Sequence, residues 1–179
     1  MRGDLEKILI DEPAILARLD GLAEEITKDY QGKDFTVIAL LNGSIIFMAD
    51  LLRRIPLPLT LDCLRVSSYH GGTETTGKVT FHQMNMPEVR GRHVLLLDDI
   101  LDSGLTLAAV SARIMEEQPA SVRVCVLLKK RKERYAHADS DYTGFEIGDE
   151  FVVGYGLDYQ ERYRNLPFIG VLRPEMTRG

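Results

Sequence analysis

Asp98, Asp99, Asp102, Ser103, Gly104 and Thr106 lie in one short stretch of the chain, and their types are those of a ligand site rather than of a core. The run 94–97 before them is wholly apolar, and Ala108, Ala109, Val110, Ile114 and Met115 after them recur at helical spacing. The acids therefore sit where a buried strand turns into a helix. A helix start presents unpaired N–H groups and the positive end of the helix dipole, Gly104 allows close approach of the backbone, and Ser103 and Thr106 add hydroxyl donors. Together these make a phosphate cradle. Carboxylates repel phosphate but accept hydrogen bonds from vicinal hydroxyls, so Asp98 and Asp99 suit a polyol, and a sugar phosphate satisfies both halves of the motif. Helix capping accounts for one Asp but not for three beside a glycine turn. Neither G-x-G-x-x-G nor G-x-x-x-x-G-K-[ST] occurs in the chain, which removes the dinucleotide and Walker loops.

The elements that must position this stretch are readable from periodicity. Residues 12–30 carry Ile15, Leu16, Leu19, Leu22, Ala23 and Ile26 on one helical stripe, with Pro13 suited to the first turn. Residues 35–41 read as a strand ending at Asn42-Gly43, and 45–52 resume helical spacing until Arg53-Arg54-Ile55-Pro56 stops them. Residues 59–66, 93–99 and 121–128 read as further strands, and 67–78, rich in Gly and Thr, as a functional loop. Strands alternating with helices predict an α/β fold whose mostly parallel sheet is flanked by helices, with the ligand at the carboxyl ends of the strands. From Tyr142 onward the pattern changes to short pieces, 151–155 and 168–172, which predict a small C-terminal hood over the sheet. The expectation is one domain over 1–179, with a core at about 30–135 and a hood at about 140–179.

Composition narrows the setting. A formal charge of −5 argues against a nonspecific nucleic-acid binder, which needs a broad basic surface. Cys63 and Cys125 lie in apolar strand-like runs without C-x-x-C spacing, and His70, His82, His93 and His137 form no H-x-x-x-H pair, so neither disulfides nor a zinc site is expected. The chain opens without a signal-peptide pattern, and no apolar run approaches the roughly 18 residues of a membrane span, which predicts a cytoplasmic protein with no membrane partner.

The stretch around Asp98 to Thr106 resembles the phosphoribosyl pyrophosphate signature of the type I phosphoribosyltransferases, and most closely that of the hypoxanthine-guanine group, which has an Asp at the position of Asp102. The resemblance extends in order through the Leu41-Asn42-Gly43-Ser44 turn, Ser68-Tyr69, the run from Glu150 and Phe151 to Asp158 and Tyr159, and Arg164. It implies the type I phosphoribosyltransferase fold and a magnesium-dependent transfer of phosphoribosyl from phosphoribosyl pyrophosphate to hypoxanthine or guanine. It also implies a homodimer or homotetramer.

The same resemblance assigns roles. Asp102, which the residues alone leave equally readable as a helix cap, matches a general base for the purine N7 proton. Asp98, Asp99, Ser103, Gly104, Leu105 and Thr106 match the phosphoribosyl site, with Leu105 offering only its backbone. Asn42, Gly43 and Ser44 match the pyrophosphate loop, where relatives tend to have a strained peptide bond and often a basic residue at the position of Asn42. Arg164 matches a pyrophosphate-binding arginine. Within the basic run from Lys129 to Arg134, Lys130 keeps register with both Asp102 and Phe151 and matches the donor to the purine 6-oxygen, which selects 6-oxopurines over adenine. Phe151 matches the stacking aromatic, Val152 the residue whose backbone meets the base edge, and Asp158 a carboxylate associated with Mg2+, alongside Asp98 and Asp99. Ser68 and Tyr69 match the root of a mobile loop. An RNA-binding regulator of this fold is disfavoured by the acidic charge and by Asp102, whereas Lys130 leaves a xanthine preference open.

Overall fold

Asp11 starts the first long element: its carboxylate accepts the Ala14 N–H at 2.9 Å, and Pro13 follows within the first turn, where no N–H is needed. The helix, α1 (Glu12–Tyr30), buries Ile15, Leu19, Leu22, Ala23, Ile26 and Tyr30. The computed structural model describes residues 1–68, 79–82, 86–131 and 138–176. Within them the chain continues from β1 (Leu5–Ile10) and α1 through β2 (Phe35–Leu41), α2 (Ile45–Leu52), β3 (Thr60–Ser68), β4 (Val79–Phe81), β5 (His93–Leu101), α3 (Leu105–Met115) and β6 (Ser121–Lys130). It ends with β7 (Tyr142–Ile147), β8 (Val152–Val153) and β9 (Ile169–Leu172).

Six strands form one sheet in the order β4-β3-β2-β5-β6-β7. Every pairing is parallel except that of β4 with β3. Alternation along the strands sends Val37, Ala39, Leu95, Leu97 and Leu127 to the face covered by α1 and α2, and Ile38, Leu40, Val94, Leu96 and Val126 to the face covered by α3. After β2 the chain turns outward to β3, and after β5 it turns the other way to β6, so the direction of winding reverses between β2 and β5. That reversal opens a crevice beyond the carboxyl ends of these two strands.

A second sheet of three antiparallel strands, β1-β9-β8, packs Leu5, Val153, Tyr163, Leu166, Phe168 and Leu172 into its own small core. Its first strand is absent from the sequence reading. The pairing of β1 with β9 is interrupted by register shifts between Leu5 and Lys7 and between Ile8 and Ile10, which breaks the period-two signal that marks a strand. The hood also begins later than expected: β7 pairs parallel with β6, from Cys125↔Tyr142 to Lys130↔Ile147, so the chain leaves the large sheet only after Ile147. The piece expected at 151–155 is a strand over Val152–Val153 alone, because Gly154 and Tyr155 adopt positive φ and turn the chain. No helix among the described residues is long and apolar enough to cross a membrane.

Leu19 is fully buried where α1 meets the sheet. Leu19→Ala is expected to lower stability by about 2–5 kcal/mol, read as a fall in the urea midpoint without a change in slope.

Candidate active site

β5 runs past the two acids to Leu101, so Asp98 and Asp99 are strand residues at the crevice floor. The Asp99 N–H donates to Asp98 Oδ1 at 3.0 Å. Burial pushes the proton affinity of Asp98 well above the usual carboxylate range, and the charge and hydrogen bond of Asp99 add to it. Asp99 is also raised by burial, but the hydrogen bond from the Asp98 side chain and the charge of Arg164 pull it back. The pair is thus incompletely offset by nearby positive charge.

α3 starts at Gly104, whose φ of 79° suits a residue without a Cβ, and no side chain caps it. Gly104, rather than any of the three acids, is therefore the N-cap residue, and the first turn of α3 lines the crevice at Gly104, Thr106 and Leu107. Ser103 Oγ reaches the Leu105 N–H at only 3.4 Å. Beside this turn, the loop after β2 comes close to the acids: a Cβ on Gly43 would stand 1.7 Å from Asp99 Oδ2. The peptide between Leu41 and Asn42 is cis. Ser44 is buried with its hydroxyl donating to the Leu40 carbonyl at 2.5 Å, and the Asn42 side chain is exposed.

Two cavities meet here. A cleft of about 490 Å³ is lined by Leu40, Leu41, Gly43 and Val66 on one side and by 98–104, Thr106 and Leu107 on the other. A smaller one of about 220 Å³ is lined by Asp99, Ile100, Asp102, Lys130, Phe151, Val152, Leu157 and Asp158. Asp99, Ile100 and Asp102 line both, so a ligand spanning the two cavities passes Asp102.

Lys130 ends β6 with its side chain 12% exposed, and its ammonium lies 3.5 Å from Asp102 Oδ2 and 3.2 Å from Asp149 Oδ1. Lys129 points elsewhere and pairs with Asp139 at 2.6 Å. Phe151 is 48% exposed, and its ring stands edge-to-face with Tyr159 at 5.5 Å where it lines the smaller cavity. Arg164 donates to the Gly156 carbonyl and pairs with Asp158 Oδ1, each at 2.9 Å. Asp158 Oδ2 also accepts the Glu161 N–H at 2.8 Å, so this carboxylate is already engaged by its own loop.

The structure therefore brings together Asp98, Asp99, Asp102, Ser103, Gly104, Thr106, Gly43, Lys130, Phe151, Val152 and Asp158 around the joined cavities. Asn42, Ser44, Leu105 and Arg164 do not line either cavity. The backbone of Ser68 closes β3, and Tyr69, with the rest of the expected mobile loop, lies outside the described residues. Sequence reasoning missed apolar lining residues, among them Leu40, Val66, Ile100, Leu101, Leu107 and Leu157, and it missed Asp149. Ile100 had a signal in its place between the acids, and Asp149 in a carboxylate two residues before Phe151. Val66 and Leu157 look like any core residue. Chemically, the larger cavity suits an anionic polyol and the smaller a flat ring with an acceptor facing a lysine.

The match to known proteins covers the site. The phosphoribosyl transferase domain model matches residues 7–160. A hypoxanthine-guanine phosphoribosyltransferase of Streptococcus pneumoniae is 43% identical over 176 residues, 98% of each chain, and one of Staphylococcus aureus is equally similar over the same length. A crystal structure of a hypoxanthine phosphoribosyltransferase from Staphylococcus aureus superposes with a TM-score of 0.94 at 42% identity, covering 100% of this chain and 97% of that one.

Because the folded state raises the proton affinity of Asp98, its contribution to stability is present below the unfolded carboxylate pKa and lost as pH rises through the folded value. At neutral pH its ionisation is a cost. Asp98→Asn keeps a donor toward Asp99 and is expected to raise the thermal midpoint of the magnesium-free protein at pH 7 by about 2–4 °C per kcal/mol relieved. The gain should shrink as pH is lowered toward about 4, which calorimetry across that window checks.

Proposed function

Because this chain belongs to the phosphoribosyl transferase family, and within it to the hypoxanthine-guanine phosphoribosyltransferases, we propose that it salvages purines. It transfers phosphoribosyl from phosphoribosyl pyrophosphate to hypoxanthine or guanine and releases inosine or guanosine monophosphate and pyrophosphate. The observation that carries this reading is the pair of joined cavities: a phosphate cradle with two carboxylates opens onto a lysine and an exposed aromatic ring, and Asp102 stands at the junction.

In this reading the 5′-phosphate takes the free amides at the start of α3 together with the Ser103 and Thr106 hydroxyls. The ribose hydroxyls donate to Asp98 and Asp99. Pyrophosphate lies by the loop of Asn42, Gly43 and Ser44, with Arg164 behind it. The purine stacks on Phe151, its edge meets the Val152 backbone, and Lys130 donates to its 6-oxygen. As purine N9 bonds to C1′ and the bond from C1′ to pyrophosphate breaks, the N7 proton passes to Asp102, whose carboxylate also faces the positive charge developing on the ribose. An adenine amino group would set donor against donor at Lys130 and forfeit that hydrogen bond.

Asp98, Asp99 and Asp158 are hard oxygen donors, and magnesium takes one or two such carboxylates along with substrate oxygens and water. The crowded, half-buried acid pair fits a divalent cation. Among the described residues no group of three or more His, Cys, Asp or Glu side chains is disposed to hold a metal alone, so the ion would be shared with substrate. Its charge would offset that of the departing pyrophosphate. The chain acts in the cytoplasm as a single domain with a hood. It assembles as a homodimer or homotetramer, a reading supported by exposed Ile45 on α2 and Leu61 on β3.

Purified protein with phosphoribosyl pyrophosphate and magnesium should form nucleotide with hypoxanthine or guanine and none with adenine or uracil, followed by chromatography. No product with any base sinks the reading. Asp102→Asn should lower turnover by roughly 10²–10⁴-fold while leaving phosphoribosyl pyrophosphate binding nearly unchanged, and unaltered turnover would remove Asp102 from the role of base.

A further inference from the structure

Asp50 and Tyr155 lie outside both cavities, yet they join the elements that build them. Tyr155 is 3% exposed, and its hydroxyl donates to Asp50 Oδ2 at 2.5 Å. Asp50 stands in α2, the helix that begins directly after Gly43 and Ser44. Tyr155 stands in the turn 154–157, which closes on itself through the Gly154 N–H to the Leu157 carbonyl at 3.0 Å and the Leu157 N–H to the Gly154 carbonyl at 3.1 Å. That turn leads straight into Leu157 and Asp158 of the smaller cavity.

The turn touches the phosphate side of the site a second time. A Cβ on Gly156 would stand 2.0 Å from the Gly43 carbonyl oxygen, so the two backbones are in direct contact without side chains between them. Gly156 is also tied to Arg164, through its own N–H to the Arg164 carbonyl and its carbonyl to the guanidinium, each at 2.9 Å. The Tyr155 hydroxyl thus ties the turn 154–157 to helix α2, beside the contact of Gly156 with Gly43 and the packing of Tyr155 and Leu157 in the core that also holds Phe47 and Leu51. Of these links the hydrogen bond is the directional one, so it sets the register of the turn along α2 more sharply than apolar packing does.

We propose that Asp50 and Tyr155 are positioning residues that hold the base-binding turn in register with the phosphate-binding loop, so that filling one half of the site strengthens binding in the other. The inference rests on the substrate assignment made above.

Hypoxanthine and magnesium pyrophosphate carry no ribose between them and bind without reacting, so calorimetry of hypoxanthine with and without magnesium pyrophosphate reads the coupling directly. Pyrophosphate is expected to tighten hypoxanthine roughly fivefold or more in the unaltered protein and less than about twofold in Tyr155→Phe. The KM of Tyr155→Phe for hypoxanthine should rise roughly tenfold, with kcat changed far less. Asp50→Asn keeps an acceptor oxygen and should retain the coupling, whereas Asp50→Leu should lose it. Melting temperatures accompany each variant: a lower melting temperature with coupling and KM unchanged makes the pair merely structural and overturns the proposal, as does an unaltered protein without coupling. Failure of the substrate assignment is told apart because the unaltered protein would then form no nucleotide from hypoxanthine or guanine.

Discussion

The parallel pairing of β2 with β5, from Phe35↔His93 to Ala39↔Leu97, is the constraint on which the site depends. Strands that neighbour in space but wind away from each other leave no helix over their shared end. The loop after one strand and the acids of the other then face each other across a strand spacing of about 5 Å. Only a residue without a side chain fits at Gly43, because Asp99 occupies the space a Cβ would take. Slipping this pair by one residue would turn Asp98 and Asp99 to opposite faces and dismantle the cleft and the core together.

Charge is distributed unevenly about the cleft. Asp98 and Asp99 crowd the cleft floor, while the two nearby cations, Lys130 and Arg164, are each shared among carboxylates beside it. A fold selected for stability alone would not crowd two carboxylates at half-buried positions. The arrangement makes sense for a ligand that brings hydroxyls and cations to the acids and an acceptor to the lysine, exchanging unfavourable contacts for favourable ones. The rigid placement of the acids on a strand, rather than on a loop, keeps them from relaxing apart.

Much of this was legible in the chain itself. The stripe from Ile15 to Ile26, the apolar strands ending at Asn42 and at Asp98, and the turn around Gly104 each carry a local signal, since one face or both are buried and the breaks fall at glycine or proline. Register separates Lys130 from Lys129, and the two side chains diverge, Lys130 toward Asp102 and Lys129 toward Asp139. What escaped depends on partners far away in sequence. β1 has bulged pairing and a single buried residue, Leu5. β7 looks like part of the hood until its partner β6 is known. The carboxylate of Asp149 gains meaning only beside Lys130, and Tyr155 only beside Asp50, contacts that no periodicity encodes.

The small sheet joins residues 5–10 to residues 169–172, nearly the full span of the chain. Loop closure across such a separation is slow compared with the nearest-neighbour pairings of the large sheet. During synthesis, β2, β3, β5 and β6 have emerged and can pair while β9 is still being made, and β1 must wait without a partner. The residues among 98–107 that line the larger cavity are thus made before Phe151, Val152, Leu157 and Asp158 of the smaller one, so the two walls of a single site are supplied by segments that leave the ribosome at different times.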